Sequence, residues 1–299
     1  MLAIIIPYYK RTFFEATLQS LAAQTCQDFK VYIGDDASPE DPTALLGQFQ
    51  GKFKFSYHRF ENNLGGTSLT QQWERCIALS DNEEWLMILG DDDVLGENVV
   101  TEFYKNLPEI DEMGCNVVRF ATQSIDKIKS VASKVYKNTK LEKASEFYYK
   151  RYSGLMRSSL SEHIFRKESY AKFSFRDYPL AWHSDDYAWL DFAEGQPVFG
   201  INEGVIFITI SNESLTGKNS NINSKNLAES MFFMDIVNHK LNLFSKEVRL
   251  NFLMSTEVAI KKNRKLSFDE WKILFLKYLI NFSFVPFIKF IRRFIKSLI

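Results

Sequence analysis

"IIIPYYK", residues 4–10, decides the fold. The apolar run begins at Leu2 and holds through Ile6. That predicts a strand buried on both faces, as in the interior of a parallel sheet. The run then stops on Pro7, followed by Tyr8, Tyr9 and Lys10. A proline and two aromatics at the mouth of a buried strand have two readings: packing, or a wall against which something flat is held.

Outward from this strand the chain alternates. Thr12 offers a helix N-cap with Glu15 three residues on, a capping box, and Phe14, Leu18 and Leu21 follow at helical spacing. Residues 29–33 predict a second strand, Asp41-Pro42 the start of a helix, 53–57 a third strand, 66–79 a helix and 85–89 a fourth strand. Further on, 98–106 and 185–194 predict helices, and 116–121 and 205–210 strands. Residues 123–140 predict a loop or irregular hairpin, and 155–175 have no period. This alternation predicts an α/β domain with a largely parallel sheet flanked by helices.

From about residue 225 the strands stop, and Ile, Leu, Phe and Lys recur at helical spacing. The expected division is a domain over 1–220 and a helical C-terminal region over 221–299. The closing stretch is rich in Phe and Ile and carries only basic charges, and its helix would be apolar on one side and basic on the other. That composition predicts an in-plane helix at a membrane surface, against the alternative of a helix packed on the first domain. Pro286 is expected to split the stretch in two.

Bulk composition narrows the classes. Lys plus Arg and Asp plus Glu both number 37, and a neutral chain lacks the basic excess of a nucleic-acid binder. Cys26, Cys76 and Cys115 have no metal or redox spacing and read as buried thiols in a reducing compartment. The N-terminus runs straight into a patterned strand, without the basic region and cleavage site of a signal peptide. No stretch reaches the length of a membrane-spanning helix. The expected location is therefore cytoplasmic, peripheral on the inner face of the plasma membrane.

Ligands of an open parallel sheet bind beyond the carboxyl ends of its strands. There the sequence places Pro7–Lys10, then Asp35 and Asp36 in "GDDASPED", then "ENNLGGT", then Asp91, Asp92 and Asp93 in "GDDDVL". Read alone, Asp35-Asp36 is more often a solvated turn or a cap, whereas three consecutive aspartates at a strand end need compensation. Gathered on one sheet edge they repel, unless a divalent cation with oxygen ligands sits among them.

Four segments in order, "IIIPYYKR", "LQSLAAQTCQDFKVYIGDDAS", "EWLMILGDDDVL" and "SDDYAWLDFAEG", resemble the family-two glycosyltransferases, over roughly residues 2–215. The resemblance implies the GT-A fold, a Rossmann-like mixed and mainly parallel sheet. It implies inverting transfer of a sugar from a nucleotide-diphosphate donor, a UDP-sugar for preference, with Mn²⁺ or Mg²⁺, to a saccharide or lipid-linked saccharide of a bacterial surface polysaccharide. It implies that Pro7 and Tyr9 pack the base while Tyr8 turns into the core. Asp36 would accept the base N–H, Asp91 would lie near the ribose, and Asp92 would hold the metal. Asp93 would shape the turn or the donor-sugar site. Asp185 falls at the general-base position, with Asp186, one residue on, as second choice. Asp185 also reads as an N-cap of the helix that follows.

There are departures. Gly90 stands where the family has an aspartate. "GGTSLTQQW" lacks the arginine expected near the base and phosphates, a place that Lys10, Arg11 or Lys218 could fill. His163, Trp182 and His183 fall in the acceptor-side region, although a lone histidine is more often structural. Two rival functions remain. A nucleotidyltransferase is disfavoured because "PYYKR" has no glycine-rich phosphate loop. A degenerate GT-A domain acting as a nucleotide-sugar binding or scaffold module is favoured only by Gly90.

Overall fold

The computed structural model describes residues 1–212, 214 and 221–298. The chain divides into two compact units, Met1–Asn219 and Ser220–Ile299.

The first unit is built on one sheet. Its strands are β1 (Leu2–Tyr8), β2 (Phe29–Asp35), β3 (Lys54–Arg59), β4 (Trp85–Ile88), β5 (Val94–Leu95), β6 (Val117–Asp126), β7 (Val131–Ala132), β8 (Leu141–Lys143), β9 (His163–Arg166) and β10 (Pro197–Ile210). Along the sheet the order is β3-β2-β1-β4-β9-β6-β10-β5. From β3 to β4 all pairs are parallel. β9 then enters antiparallel to both β4 and β6, and β6 and β10 pair parallel again. Residues 123–126 prolong β6 and turn back on β7, so the expected irregular hairpin is present.

β1 lies in the sheet's interior, third from the β3 edge, and Leu2 through Ile6 are fully buried. Its pairing with β4 ends at Ile5–Ile88, whereas its pairing with β2 continues to Tyr8–Asp35. Pro7 therefore sits where β4 has already left, and its missing N–H breaks no ladder bond. β1 has its sequence successor β2 on one side and β4 on the other, so the chain reverses direction across the sheet here. A crevice opens at such a switch point.

Two local expectations fail. The helix after β1 is Phe14–Ala22, with Phe13 as N-cap and no side-chain cap. The Phe14 N–H is already on the Arg11 carbonyl, so the chain enters the helix too late for a Thr12 capping box. β9 was not legible: its four residues show no alternation, because Ile164 and Phe165 are both buried, one on each face.

The second unit is helical: Ile222–Asp235, Lys246–Lys261, Phe268–Ile280 and Phe284–Leu298. Ser267 closes a full capping box with Glu270. The closing stretch does form two helices, but the break falls at residues 281–283, before Pro286. Pro286 lies in the first turn of the last helix, where its missing N–H would have had no partner within the helix. No helix among the described residues is long and apolar enough to cross a membrane.

Candidate active site

The carboxyl ends of β1, β2 and β4 bring Tyr9, Asp36 and Asp91–Asp93 to one edge. Tyr8 is buried and donates its hydroxyl to the Glu40 carbonyl at 2.7 Å. Tyr9 is 38% exposed at the crevice, with its carbonyl held by Ser38 Oγ at 2.6 Å. Asp91 Oδ2 accepts from the N–H groups of Tyr9 and Lys10 at 2.8 and 2.9 Å, and so ties the loop after β4 to the end of β1.

The three consecutive aspartates have separate surroundings. Asp93 is buried, with Oδ2 accepting from Ser161 Oγ at 2.5 Å and Oδ1 from the Thr209 N–H at 2.9 Å. Ser161 Oγ also accepts from the Gly90 N–H. Asp92, between two anchored neighbours, has no side-chain hydrogen bond or ion pair among the described residues. Burial, with Asp93 and Asp91 beside it, pushes its carboxyl far above the ordinary range. A Cβ at position 90 would meet Asp92 Oδ1 at 3.0 Å and Asp93 Oδ2 at 3.1 Å. A side chain at this position would therefore need both carboxylates to give way by a few tenths of an ångström.

Ser161 was missed in the sequence. It sits in a short turn, Leu160–Glu162, pinned by the fully buried Glu162. Glu162 accepts from Arg119 Nε at 2.8 Å, from Arg157 at 3.1 Å and from Ser159 Oγ at 3.0 Å. His163, next in the chain, is a core residue. Its Nδ1 faces the Ser159 carbonyl at 2.9 Å and its ring stacks on Trp189 at 4.0 Å. Burial, with Arg119 nearby, holds it well below the usual histidine range. It is neutral and does not reach the crevice.

In the β2 loop each carboxylate is held by three protein donors. Asp35 accepts from the Ser38 N–H, the Tyr57 hydroxyl and Arg59 at 2.6–2.7 Å. Asp36 accepts from the N–H groups of Leu64 and Gly65 at 2.8 and 2.9 Å and pairs with Arg75. A Cβ at Gly65 would stand 2.7 Å from Asp36 Oδ2, so only glycine lets the backbone donate there. Arg75 also lies over the Phe60 ring at 3.9 Å. An arginine thus meets Asp36 from the helix after β3, Leu69–Ile77, two residues beyond the segment that lacks one. Arg11 is exposed, and Lys218 lies outside the described residues. Three of the four acceptor positions on Asp36 are taken, leaving one open.

The last acidic pair opens the helix Ser184–Phe192. Asp186 is buried between His183 Nδ1 at 2.8 Å and Arg151 Nε at 2.9 Å. Burial opposes its charge, but Arg151 and His183 hold its carboxyl below the usual range. Asp185 has no side-chain partner among the described residues, and burial and the Asp186 charge push its carboxyl up to about 7. The approach to this helix is strained. Ser174, Leu180, Ala181 and His183 all have positive φ, a cost concentrated where strain accompanies function. Asp177 clasps this segment to the helix after β3, accepting from Ser68, Thr70 and Gln71 at 2.7, 2.5 and 3.2 Å.

Among the described residues no group of three or more His, Cys, Asp or Glu is placed to hold a metal by itself. One open carboxylate, Asp92, crowded by two others, fits a hard cation that takes its remaining ligands from a diphosphate and water.

Residues 3–170 match the sequence model of glycosyl transferase family 2. Comparison with curated proteins finds no match. Among solved structures, S. aureus TarS superposes with a TM-score of 0.60 at 14% identity, covering 95% of this chain and 50% of that one. The chain thus spans half the length of that structure's chain. TarS 1–349 in complex with UDP-GlcNAc gives 0.62 at 15% identity, over 94% and 80% of the two chains. TarS 1–349 in complex with UDP gives 0.57 at 14% identity, over 94% and 81%.

Proposed function

The chain belongs to glycosyl transferase family 2, and from that premise we propose that it is an inverting, metal-dependent transferase using a UDP-sugar. The acceptor is a hydroxyl of a saccharide or lipid-linked saccharide in bacterial surface polysaccharide synthesis, and the enzyme is peripheral on the inner face of the plasma membrane. The observation that carries the donor half is Asp92, whose side chain, unlike those of Asp91 and Asp93, has no hydrogen bond or ion pair to another residue among the described residues. The UDP and UDP-GlcNAc complexes of TarS support the choice of nucleotide.

In this reading the base packs on Pro7 and Tyr9, and its N–H takes the open acceptor position of Asp36, which Arg75 orients. Asp91 lies near the ribose while it braces the crevice. Asp92 holds Mn²⁺ or Mg²⁺, which when bound offsets the charge growing on the departing diphosphate. Asp185 accepts the proton of the acceptor hydroxyl as that oxygen bonds to the anomeric carbon and the bond to the UDP oxygen breaks, which inverts the configuration. A carboxylate with a raised proton affinity suits that task. Asp186 is spoken for by His183 and Arg151, which favours Asp185 as the base. Trp182 and His183 line the acceptor side.

The test is calorimetric titration of UDP, GDP, CDP and dTDP with and without Mn²⁺, on wild type and Asp92→Ala. The expected result is metal-dependent UDP binding that the substitution abolishes. No nucleotide binding with metal would overturn the donor assignment and leave the scaffold reading.

A further inference from the structure

The last helix carries three parallel stripes. Phe287, Phe290 and Phe294 turn inward, with Phe290 buried and stacked on Tyr278 at 4.6 Å and Phe294 against Trp271 at 5.2 Å. Beside them Phe284, Ile288, Ile291, Ile295 and Leu298 recur at i, i+4, i+7, i+11 and i+14, which is one helix face. Four of these five are more than half exposed, Phe284 by 68% and Leu298 by 71%. Next around the helix come Lys289, Arg292 and Lys296, all exposed.

The preceding helix adds Phe268, Phe275, Leu276 and Leu279, exposed on one side. Ile280 at the end of that helix and Phe282 in the following break are exposed as well. From Trp271 to Leu298 there is no acidic residue, against Lys272, Lys277, Lys289, Arg292, Arg293 and Lys296. Next to this face a cleft of about 600 Å³ is lined by Lys261, Arg264, Lys265, Arg293 and Lys296 over Trp271 and Phe294. Arg293 and Lys261 are partly neutralised by Glu257, and Arg264 by Glu270. Lys265 and Lys296 have no such partner among the described residues.

We infer that this face is the membrane contact and that it selects an anionic lipid surface: the apolar stripe enters the acyl boundary while Lys289, Arg292 and Lys296 meet lipid phosphates. The geometry is that of an in-plane helix, and the one-signed charge is complementary to an anionic leaflet. A second copy of the chain is the poorer occupant, since a self-complementary interface would bring two acid-free basic stripes together. The inference rests on the peripheral-membrane part of the proposed function and is independent of its chemistry.

The test is co-sedimentation of the full chain with phosphatidylcholine vesicles, with and without phosphatidylglycerol. The variants are Lys289→Glu/Arg292→Glu/Lys296→Glu and Ile288→Asp/Ile295→Asp, all at exposed positions, with UDP titration as the check that the first unit is intact. Wild type should bind the anionic vesicles and lose most of that binding in high salt. The charge-reversed variant should bind roughly a hundredfold more weakly, and the Ile→Asp variant should also lose binding. Equal binding to neutral vesicles, or binding that survives charge reversal, overturns this inference and leaves the peripheral reading standing. Failure of wild type to bind either vesicle overturns both. A stable dimer in solution that Ile288→Asp/Ile295→Asp dissociates also overturns the lipid assignment, because the face then belongs to a second copy.

Discussion

The loops after β2 and β4 both end on consecutive aspartates at the same sheet edge, yet they are built for different ends. After β2, each carboxylate is met by a cation and by N–H or O–H donors: Asp35 by Arg59, Ser38 and Tyr57, Asp36 by Arg75, Leu64 and Gly65. After β4, the outer two accept from N–H and O–H donors, and the middle one has no side-chain hydrogen bond or ion pair to another residue among the described residues. Filled carboxylates lock a fold, because removing a donor or acceptor exposes a buried charge. An open carboxylate among others raises the local energy until something positive or something protonated arrives. The helix Ser184–Phe192 repeats the contrast within one dipeptide, with Asp186 paired to Arg151 and His183 and Asp185 without a side-chain partner among the described residues. The same amino acid thus serves as a fastening in one place and a reagent in the next, and what separates them is whether the protein itself completes the shell.

The sharpest way to break this contrast is at its open members. Asp185→Asn removes the proton acceptor and leaves the shape, so kcat for sugar transfer should fall by about 10²–10⁴-fold while UDP affinity stays within twofold. Activity within a few-fold of wild type would remove Asp185 from the chemistry.

Stability should show the opposite ranking. Asp36→Ala leaves the Leu64 and Gly65 N–H groups without their acceptor and takes one carboxylate from Arg75, which keeps Gln72 and Asn62, and should cost about 2 kcal/mol in urea unfolding. Asp185→Asn should cost nothing at pH 8. The fold raises the Asp185 pKa above its unfolded value, so it favours the protonated form. Stability is lost as pH rises from about 4 to about 7 and stays lost above, and the neutral amide escapes that penalty. A large loss of stability in Asp185→Asn, or none in Asp36→Ala, would mean that the filled and open carboxylates have been misassigned.

How far this could be foreseen follows from the same contrast. The sheet was legible because β1, β2 and β4 are continuous apolar runs, and the acidic loops because they stand at strand ends. The division of labour was not, because the groups that decide it are remote in sequence: Ser161 is 68 residues from Asp93, Thr209 is 116, and Arg75 is 39 from Asp36. β9 was hidden by burial on both faces. The Thr12 capping box had the right residues in the wrong register, whereas the Ser267 box lay in a stretch read only for its apolar face. For His163 the sequence favoured a structural place over a functional one but named no surroundings, and its stack on Trp189 and complete burial supply them.

The smallest expected effect is the most discriminating, because it separates two adjacent residues. If Asp185 is the base, kcat/KM should rise with pH and level off above about 7, the value to which burial and Asp186 push its carboxyl. Asp186→Asn deletes a like charge beside it and frees Arg151 from its partner, and both changes favour ionised Asp185. The rising limb should therefore move to lower pH, with the plateau rate reduced only a few-fold through the loosened His183. Measured profiles of kcat/KM between pH 5 and 9 decide the matter. A limb that stays in place means that the titrating group is not Asp185. A rate that collapses at every pH in Asp186→Asn but survives in Asp185→Asn makes Asp186 the base, with the Arg151 and His183 pairings broken when substrate binds.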